Sequence, residues 1–297
     1  MSLSSIDAVV AAFADQGYVA DRDLATAIYL SLALERPLLL EGEAGVGKTE
    51  VGRTLAAALG AELIRLQCYE GQDVNTAVYE WDYPRQMLEI RLLEARGQAR
   101  EAATKDIFSE QFLVRRPLLK ALEPRAGAAP VLLIDEIDRA DEEFEAYLLE
   151  FLADFAVTIP EIGTLKAHRP PRVVITSNRT REIHDALKRR CFYHWIDYPS
   201  LDRELEILAR RKPGLPEQLA REIVTFVQRL RGADLTKAPG VAETIDWAAA
   251  LVALGAKRLE PEQVERTLGV LLKYQEDVSV IRAEGARAIL GEMRAAG

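Results

Sequence analysis

The chain has 297 residues, 49% of them hydrophobic and 29% charged, which is a globular composition sufficient for one large domain or two smaller ones. A formal net charge of -9 argues against a general nucleic-acid binder, because neutralising phosphates requires clustered Lys and Arg. Two cysteines exclude a disulfide framework and, together with only three histidines, argue against a zinc site of nitrogen and sulfur ligands.

The N-terminal segment does not have the pattern of a signal peptide. It lacks a basic stretch and carries Asp7 early. No apolar run approaches the roughly 18 residues that a membrane-spanning helix needs. We therefore expect a cytoplasmic protein without a membrane span.

Apolar runs typical of buried strands recur along the first two thirds of the chain, with helical patterns between them. These runs are 37–40, 62–68, 131–134, 172–177 and 194–198. Such alternation predicts an α/β fold with a parallel sheet covered on both faces. After Ser200 only helical patterns occur, at 202–211, 217–230, 244–254, 262–277 and near 279–296. We predict an α/β domain over residues 1–200 and a small all-helical lid domain over 201–297.

The first predicted strand runs into a complete phosphate-binding loop pattern, G-x-x-x-x-G-K-[ST]. Its residues are Gly42, Glu43, Ala44, Gly45, Val46, Gly47, Lys48 and Thr49. The glycines allow backbone angles that turn amide groups toward an anion, and the following helix N-terminus adds partial positive charge. We expect Lys48 to reach the β- and γ-phosphates and the Thr49 hydroxyl to ligate Mg²⁺. The pattern therefore predicts binding of a nucleoside triphosphate.

Two adjacent acids end the third predicted strand. Because ligands of open α/β sheets bind at the carboxyl ends of the strands, Asp135 and Glu136 are expected beside the phosphate loop. Asp135 suits a Mg²⁺ site, through water, and Glu136 suits the general base that orients an attacking water. The alternative is a strand that ends in a solvated acidic turn.

The Asp-Glu pair resembles that of the AAA+ ATPases, and no Asn-Lys-x-Asp guanine reader of Ras-like GTPases occurs. The resemblance implies a P-loop core with a five-stranded parallel sheet, and ATP with Mg²⁺. Residues 172–178 are similar to the strand that ends in the sensor-1 residue, so Asn178 is expected to bond the γ-phosphate or the attacking water. Residues 185–192 are similar to the arginine-finger segment, which implies that Arg190, or else Arg189, acts on the neighbouring subunit's nucleotide in a ring. The alternatives are an Asn in a loop turn and a solvated basic helix end.

Two inserts resemble those of MoxR ATPases, and within them of CoxD-like members. One follows the second strand at about 69–97 and resembles a helix-2 insert. The other, at about 155–170, alternates around Gly163 and resembles the pre-sensor-1 hairpin. The resemblance implies a ring, expected to be a hexamer, that remodels or matures a client metalloenzyme together with a von Willebrand A-domain protein. CoxD-like members imply a molybdenum hydroxylase such as carbon monoxide dehydrogenase as the client. Ordinary packing is the alternative role for the insert aromatics Tyr79, Trp81 and Tyr83.

The lid departs from the family pattern at one position. Many AAA+ lids carry a sensor-2 Arg that contacts the γ-phosphate, whereas the aligned residue here is Glu243. Either the lid senses nucleotide differently, or another cation serves, Lys237 being the nearest. For the adenine base, the resemblance indicates backbone groups of Tyr18 and Val19.

Two other functions remain open at this point. One is a nucleic-acid-dependent AAA+ motor or clamp-loader-like ATPase, against which the acidic charge and the lack of a DNA-binding appendage after the lid argue. The other is a nucleotide-switched scaffold with negligible turnover, against which Glu136 argues. We expect no nucleic-acid partner.

Overall fold

In the computed structural model, residues 3–72, 74–96, 107–124 and 126–296 are described. The five principal strands are β1 (Leu38–Gly42), β2 (Leu63–Gln67), β5 (Val131–Asp135), β8 (Arg172–Ser177) and β9 (Phe192–Ile196). They form one sheet in the order β2-β5-β8-β1-β9. Every residue of β1 and β5 is buried, as expected for parallel strands with helices on both faces. The predicted α/β fold with a five-stranded parallel sheet is confirmed.

Parallel pairing sets the carboxyl ends of three strands level with one another. Gln67 at the end of β2 pairs with Asp135 at the end of β5, and Ile134 pairs with Ile175 of β8. Polar residues at the carboxyl ends of β2, β5 and β8 therefore meet at one edge of the sheet.

The helices of this part of the chain are α1 (Ile6–Asp15), α2 (Arg22–Ala33), α3 (Lys48–Leu59), α4 (Val74–Ala77), α5 (Tyr83–Ala95), α6 (Pro117–Leu122), α7 (Glu142–Asp154) and α8 (Asp185–Arg190).

Two small antiparallel pairs lie apart from the five-stranded sheet, and all their strands except Leu113–Arg115 fall within the two predicted inserts. β3 (Tyr79–Trp81) pairs with β4 (Leu113–Arg115), and β6 (Ala156–Ile159) pairs with β7 (Gly163–Lys166) in a hairpin. Residues 73 and 97 of the first insert lie outside the described residues.

The insert aromatics divide between packing and exposure. Trp81 is 6% exposed and its ring meets that of Phe108 edge-on at 5.4 Å, so packing accounts for it. Tyr83 at the start of α5 is 61% exposed.

The C-terminal part of the chain is helical throughout its described residues. Its helices, called the lid helices here, are α9 (Leu201–Arg211), α10 (Glu217–Arg231), α11 (Val241–Ala253), α12 (Pro261–Leu271), α13 (Gln275–Glu284) and α14 (Ala286–Ala296). The run predicted as one helix over 262–277 is two helices, and Tyr274 between them has an extended backbone. The break lets Asp277, 2% exposed, accept hydrogen bonds from the amides of Thr236 and Lys237.

The chain forms two compact units. The first comprises residues 1–9, 22–41 and 49–195, and the second comprises 10–21, 42–48 and 196–297. Each has its own core, built around the sheet in the first unit and around Phe226 and Trp247 of the lid helices in the second. The domain boundary predicted near residue 200 stays a prediction, since the second unit also contains the phosphate loop. No helix among the described residues combines the length and apolar character needed to cross a membrane.

Candidate nucleotide site

The phosphate loop follows β1 and has backbone angles that require glycine. Gly42, Gly45 and Gly47 have φ of 153°, 81° and 99°. A Cβ on Gly42 would lie 2.3 Å from the carbonyl oxygen of Ile196, so no larger residue fits there. The three glycines therefore give the loop the shape that a phosphate cradle needs.

The Lys48 ammonium group is held across this loop. Lys48 is 6% exposed, and its Nζ donates to the carbonyl oxygens of Gly42 at 2.7 Å and Glu43 at 2.6 Å. An ammonium group has three donors that reorient readily, so these bonds can be exchanged for phosphate oxygens. Val46 of the same loop is 8% exposed, and the Ala44 carbonyl oxygen lies 2.7 Å from where a Cβ on Gly240 would be.

Thr49, the residue after Lys48 in α3, meets the acid at the end of β5. Its hydroxyl donates to Asp135 Oδ1 at 2.8 Å, and the Thr176 hydroxyl of β8 donates to the same oxygen at 2.6 Å. Asp135 is 1% exposed. Hydroxyl and carboxylate oxygens are the ligands Mg²⁺ prefers, and a Mg²⁺ ion needs only one or two of them beside phosphate and water. Thr49 and Asp135 therefore fit the predicted magnesium site, although no group of three or more His, Cys, Asp or Glu among the described residues is arranged so that it could hold a metal ion by itself.

Glu136 lies in a left-handed backbone conformation, with φ of 57°. Its amide donates to the Thr176 hydroxyl at 2.9 Å, and its Oε2 accepts from Gln67 Nε2 at 3.0 Å. Arg139 Nη1 lies 3.6 Å from the same oxygen. The carboxylate is one third exposed, so water can reach it. This is an arrangement a general base can use, and its role stays a prediction.

Asn178 directly follows β8, and a buried acid holds its backbone. Asp138, 3% exposed, accepts from the amides of Asn178 at 3.1 Å and Thr180 at 2.9 Å, and from the Thr180 hydroxyl at 2.6 Å. Asp138 thus fixes the loop in which the predicted sensor-1 side chain lies. Sequence reasoning missed Asp138, which the motif places three residues after Asp135.

Sequence reasoning also missed Arg65 and Gln67 on β2. Arg65 donates to Asp135 Oδ2 from Nε at 2.9 Å and from Nη2 at 2.5 Å. Alternate residues of a strand share a face, so polar residues at positions 65 and 67 of an apolar run were the available signal. We call Arg65, Gln67, Asp135 and Glu136 together the acid edge.

The charge of the acid edge affects the nearest thiol. Burial first, and then the negative charges of Asp135, Asp138, Glu136 and Glu145, raise the pKa of Cys68 to about 12. The Cys68 thiol therefore stays protonated near neutral pH and is a poor nucleophile or metal ligand.

The predicted arginine fingers lie at the end of α8. Arg189 and Arg190 are exposed, and the Arg190 guanidinium donates to the Leu149 carbonyl of its own chain. The Arg36 guanidinium donates to the carbonyl oxygens of Arg189 at 2.7 Å and Arg190 at 3.3 Å, and lies 4.9 Å from the Phe192 ring centre. Arg36 thus caps the helix that carries both candidates. Their action on a neighbouring subunit stays a prediction.

Backbone groups proposed for the adenine base already have partners. The Tyr18 amide donates to the Phe13 carbonyl at 2.9 Å, and the Val19 carbonyl accepts from Arg203 of α9 at 2.9 Å. The Tyr18 ring lies beside the loop, since a Cβ on Gly47 would be 3.7 Å from it. An adenine contact by these residues stays a prediction.

The start of α11 packs directly on the phosphate loop. The Ala242 amide donates to the Gly45 carbonyl at 3.2 Å. Glu243, at the sensor-2 position, accepts the Gly240 amide at 3.0 Å, and a Cβ on Gly45 would lie 2.8 Å from this carboxylate. Glu243 therefore caps the start of α11 by accepting the Gly240 amide, and a carboxylate is also favoured there by the helix dipole, which explains an acidic residue here.

Lys237, the cation predicted to replace sensor 2, precedes α11, and a second basic residue, Arg231, binds the same segment of chain. Lys237 donates its backbone amide to Asp277 at 3.2 Å. Arg231, which sequence reasoning did not single out, donates from Nε to the Pro239 carbonyl at 2.8 Å, next to Gly240. The identity of the replacing cation stays a prediction.

Comparison with known proteins identifies the fold and the family. A sequence model of the family described as "AAA domain (dynein-related subfamily)" matches residues 37–191, more than half of the chain. Two structures of Thermotoga maritima RuvB mutants have a TM-score of 0.50 and 17% identity, and the alignments cover 93% of this chain and 75% and 74% of the RuvB chains. At that identity the similarity shows the fold alone.

Two bacterial relatives, both described as uncharacterized, are similar in sequence. YeaC of Bacillus subtilis is 25% identical over 222 residues, covering 71% of this chain and 60% of YeaC. A Staphylococcus haemolyticus protein is 24% identical over 205 residues, covering 67% of this chain and 69% of that protein. The chain thus spans 60% of the length of YeaC.

Proposed function

The chain belongs to the AAA domain family, dynein-related subfamily, and from that premise we propose that it binds ATP with Mg²⁺ and hydrolyses it. The observation that carries the proposal is the 2.8 Å hydrogen bond from Thr49 to Asp135, which joins the helix after the phosphate loop to the acid of β5. Lys48, directly before Thr49, is held within the same loop. A phosphate-binding cation and one Mg²⁺ ligand therefore occupy consecutive positions of one helix, and the second Mg²⁺ ligand, Asp135, is hydrogen-bonded to the first.

The remaining residues support hydrolysis rather than binding alone. Thr49 and Asp135 would hold Mg²⁺, which would supply positive charge against the negative charge that develops on the phosphates. The Glu136 carboxylate can orient a water molecule and accept its proton. To do so, the carboxylate has to release the Gln67 side-chain amide, which donates to it at 3.0 Å. Asn178, fixed by Asp138, has an amide side chain that can bond the same water or a phosphate oxygen.

The test of this function is Glu136→Gln. General-base catalysis contributes about 10²–10⁴-fold, so turnover should fall by that factor while ATP affinity stays within about threefold of wild type. The measurements are steady-state phosphate release and binding of a fluorescent ATP analogue. Glu143→Gln, an exposed acid in the first turn of α7, serves as the control and should keep wild-type turnover. Undiminished turnover in Glu136→Gln would show that the base is another residue.

We propose further that the protein acts as a ring, with Arg190 or Arg189 completing the neighbour's site. The family supports this, because a finger that acts in trans needs an adjacent copy. Arg190→Ala should lose turnover, as should Glu136→Gln. Mixing these two inactive variants should restore part of the activity, since mixed rings pair an intact acid edge with an intact arginine. No restoration with Arg190→Ala or with Arg189→Ala would argue against a finger at this helix end.

The proposed role of the ring is that of a MoxR-type chaperone, with a von Willebrand A-domain partner and a metalloenzyme client. β3 with α5, and the β6–β7 hairpin, support it, because they fall within the two segments that resemble that subgroup's inserts. α5 exposes four apolar side chains, Tyr83, Met87, Leu88 and Leu92. Co-purification with an A-domain protein that stimulates ATPase activity is the expected result. Stimulation by DNA instead would favour the nucleic-acid motor.

A further inference from the structure

Arg65 engages the acid that the proposed function assigns to Mg²⁺. Its Nε and Nη2 both donate to Asp135 Oδ2, at 2.9 and 2.5 Å. The Asp135 side chain is 2% exposed, whereas that of Arg65 is 41% exposed. A buried carboxylate is thus paired with a cation that water can reach from one side.

The second oxygen of Asp135 is also occupied. Oδ1 accepts from the hydroxyls of Thr49 and Thr176, at 2.8 and 2.6 Å. The carboxylate therefore accepts hydrogen bonds from one guanidinium and two hydroxyls. A Mg²⁺ ion entering beside Thr49 meets an acid whose charge is already balanced, and a positive charge that repels it.

The Arg65 guanidinium is also linked to Glu136, the proposed general base, through Gln67. Arg65 Nη2 donates to Gln67 Oε1, and Gln67 Nε2 donates to Glu136 Oε2 at 3.0 Å. An amide whose oxygen is occupied by an arginine must turn its NH₂ group away from it, here toward Glu136. Arg65 therefore touches the metal acid directly and the base through one side chain.

We propose that Arg65 is a positioning residue that competes with Mg²⁺ for Asp135 and so sets the Mg²⁺ concentration at which nucleotide binds. This rests on the proposed ATP and Mg²⁺ site. Binding of Mg²⁺ at Asp135 weakens the contacts of Arg65 with this acid and loosens its hold on Gln67. Arg65 is suited to this exchange because its exposed side lets the guanidinium move into water, whereas a fully buried partner would have nowhere to go.

The test measures binding of a fluorescent, non-hydrolysable ATP analogue while MgCl₂ is titrated. Arg65→Gln removes the charge but keeps a donor for Asp135, so folding should survive. Its Mg²⁺ midpoint should fall about tenfold, a factor equivalent to about 1.4 kcal/mol. Arg65→Lys keeps the charge, and its midpoint should stay within about twofold of wild type.

Arg139→Gln is the matched control, since it removes an equal charge 3.6 Å from Glu136 without touching Asp135. Its midpoint should also stay within about twofold of wild type, because it leaves the Asp135 pair intact. A wild-type midpoint in Arg65→Gln, or an equal fall in Arg139→Gln, overturns the inference while leaving the ATP site in place. If Arg65→Gln does not fold, a tenfold fall in Arg65→Lys overturns it instead. Failure of wild type to bind the analogue at any Mg²⁺ concentration overturns the proposed function and this inference together.

Discussion

The acid edge of the sheet and the core of the lid helices each bury a carboxylate against an arginine, but with different surroundings. Asp135 is held by Arg65, whose side chain is 41% exposed. Glu204 of α9 is 1% exposed and is held by Arg231 of α10, whose side chain is 6% exposed, through bonds of 2.6 and 2.7 Å. The first pair is open to water on the side of the cation, and the second is closed.

The closed pair has no oxygen left to offer a ligand. Glu204 also accepts from Gln228 at 2.8 Å and from the Thr244 hydroxyl of α11 at 2.8 Å. Arg231 lies 4.6 Å from the Tyr198 ring centre and donates to the Pro239 carbonyl. Such a network orients helices, and its members cannot exchange partners. The exposure of the arginine therefore distinguishes a pair that can take part in ligand binding from a pair that only stabilises the fold.

The largest expected effect comes from breaking the closed pair. Arg231→Met leaves the Glu204 charge buried without its cation, which should lower the free energy of unfolding by about 3–5 kcal/mol. Urea unfolding measures it. Arg229→Met on the same helix removes an exposed arginine, 39% accessible, that bonds Glu292, and should cost less than about 1 kcal/mol. Equal losses in the two variants would mean that closure does not matter.

The second largest effect is expected from disturbing the contact between α11 and the phosphate loop. Glu204 holds α11 through the Thr244 hydroxyl. Gly45→Ala would place an alanine in a left-handed backbone conformation. Its Cβ would lie 2.8 Å from the Glu243 carboxylate and 3.2 Å from the Gly240 Cα. The strain of about 1–3 kcal/mol should distort the loop and weaken nucleotide binding at least tenfold, as titration with a fluorescent ATP analogue would record. Gly60→Ala has similar strain, at φ of 59°, but nothing within 4 Å. It should leave affinity within about twofold, because only its own turn is strained; a matching loss of affinity would refute the role of the α11 contact.

Glu243 is a third acid that can be compared with Asp135 and Glu204. Unlike them, it belongs to no ion pair among the described residues. Glu243→Gln keeps an oxygen for the Gly240 amide and should change unfolding by less than about 0.5 kcal/mol. Glu243→Ala loses the capping bond and should cost about 1 kcal/mol by urea unfolding. If Glu243→Gln costs as much as Glu243→Ala, the charge matters rather than the cap.

The smallest effect is on thiol chemistry. Burial and the acids around the acid edge raise the pKa of Cys68 from 9.0 to about 12, and burial, opposed by Arg36, raises that of Cys191 equally. Below pH 9 the native thiolate fraction should be about a thousandfold lower than that of an exposed thiol, so iodoacetamide should modify both cysteines only after unfolding. Because the folded-state pKa lies above the unfolded value, the stabilisation from these thiols is full below about pH 9 and is lost as pH rises toward 12. Fast native alkylation at pH 8 would contradict the burial.

Sequence prediction was most accurate where local pattern and chemistry coincide. The phosphate loop follows a strand and starts a helix because its glycines and Lys48 serve both local geometry and ligand chemistry. The prediction of β9 was less accurate, because the strand begins at Phe192 rather than near residue 194. Its extension depends on the Phe192 amide, which donates to the Pro37 carbonyl at 2.8 Å, a partner 155 residues away that no local pattern reveals.

The sequence by itself determined that a P-loop α/β sheet carries Lys48, Thr49, Asp135 and Glu136, because spacing and apolar runs are local properties. Only the tertiary structure decided which side chains hold these residues. Arg65 lies 70 positions from Asp135, and parallel pairing of β2 with β5 brings the two together. Glu243 likewise lies beside Gly45 only when α11 packs on the loop. Contacts between distant segments depend on strand register and helix packing, which a single chain's residue pattern does not encode one pair at a time.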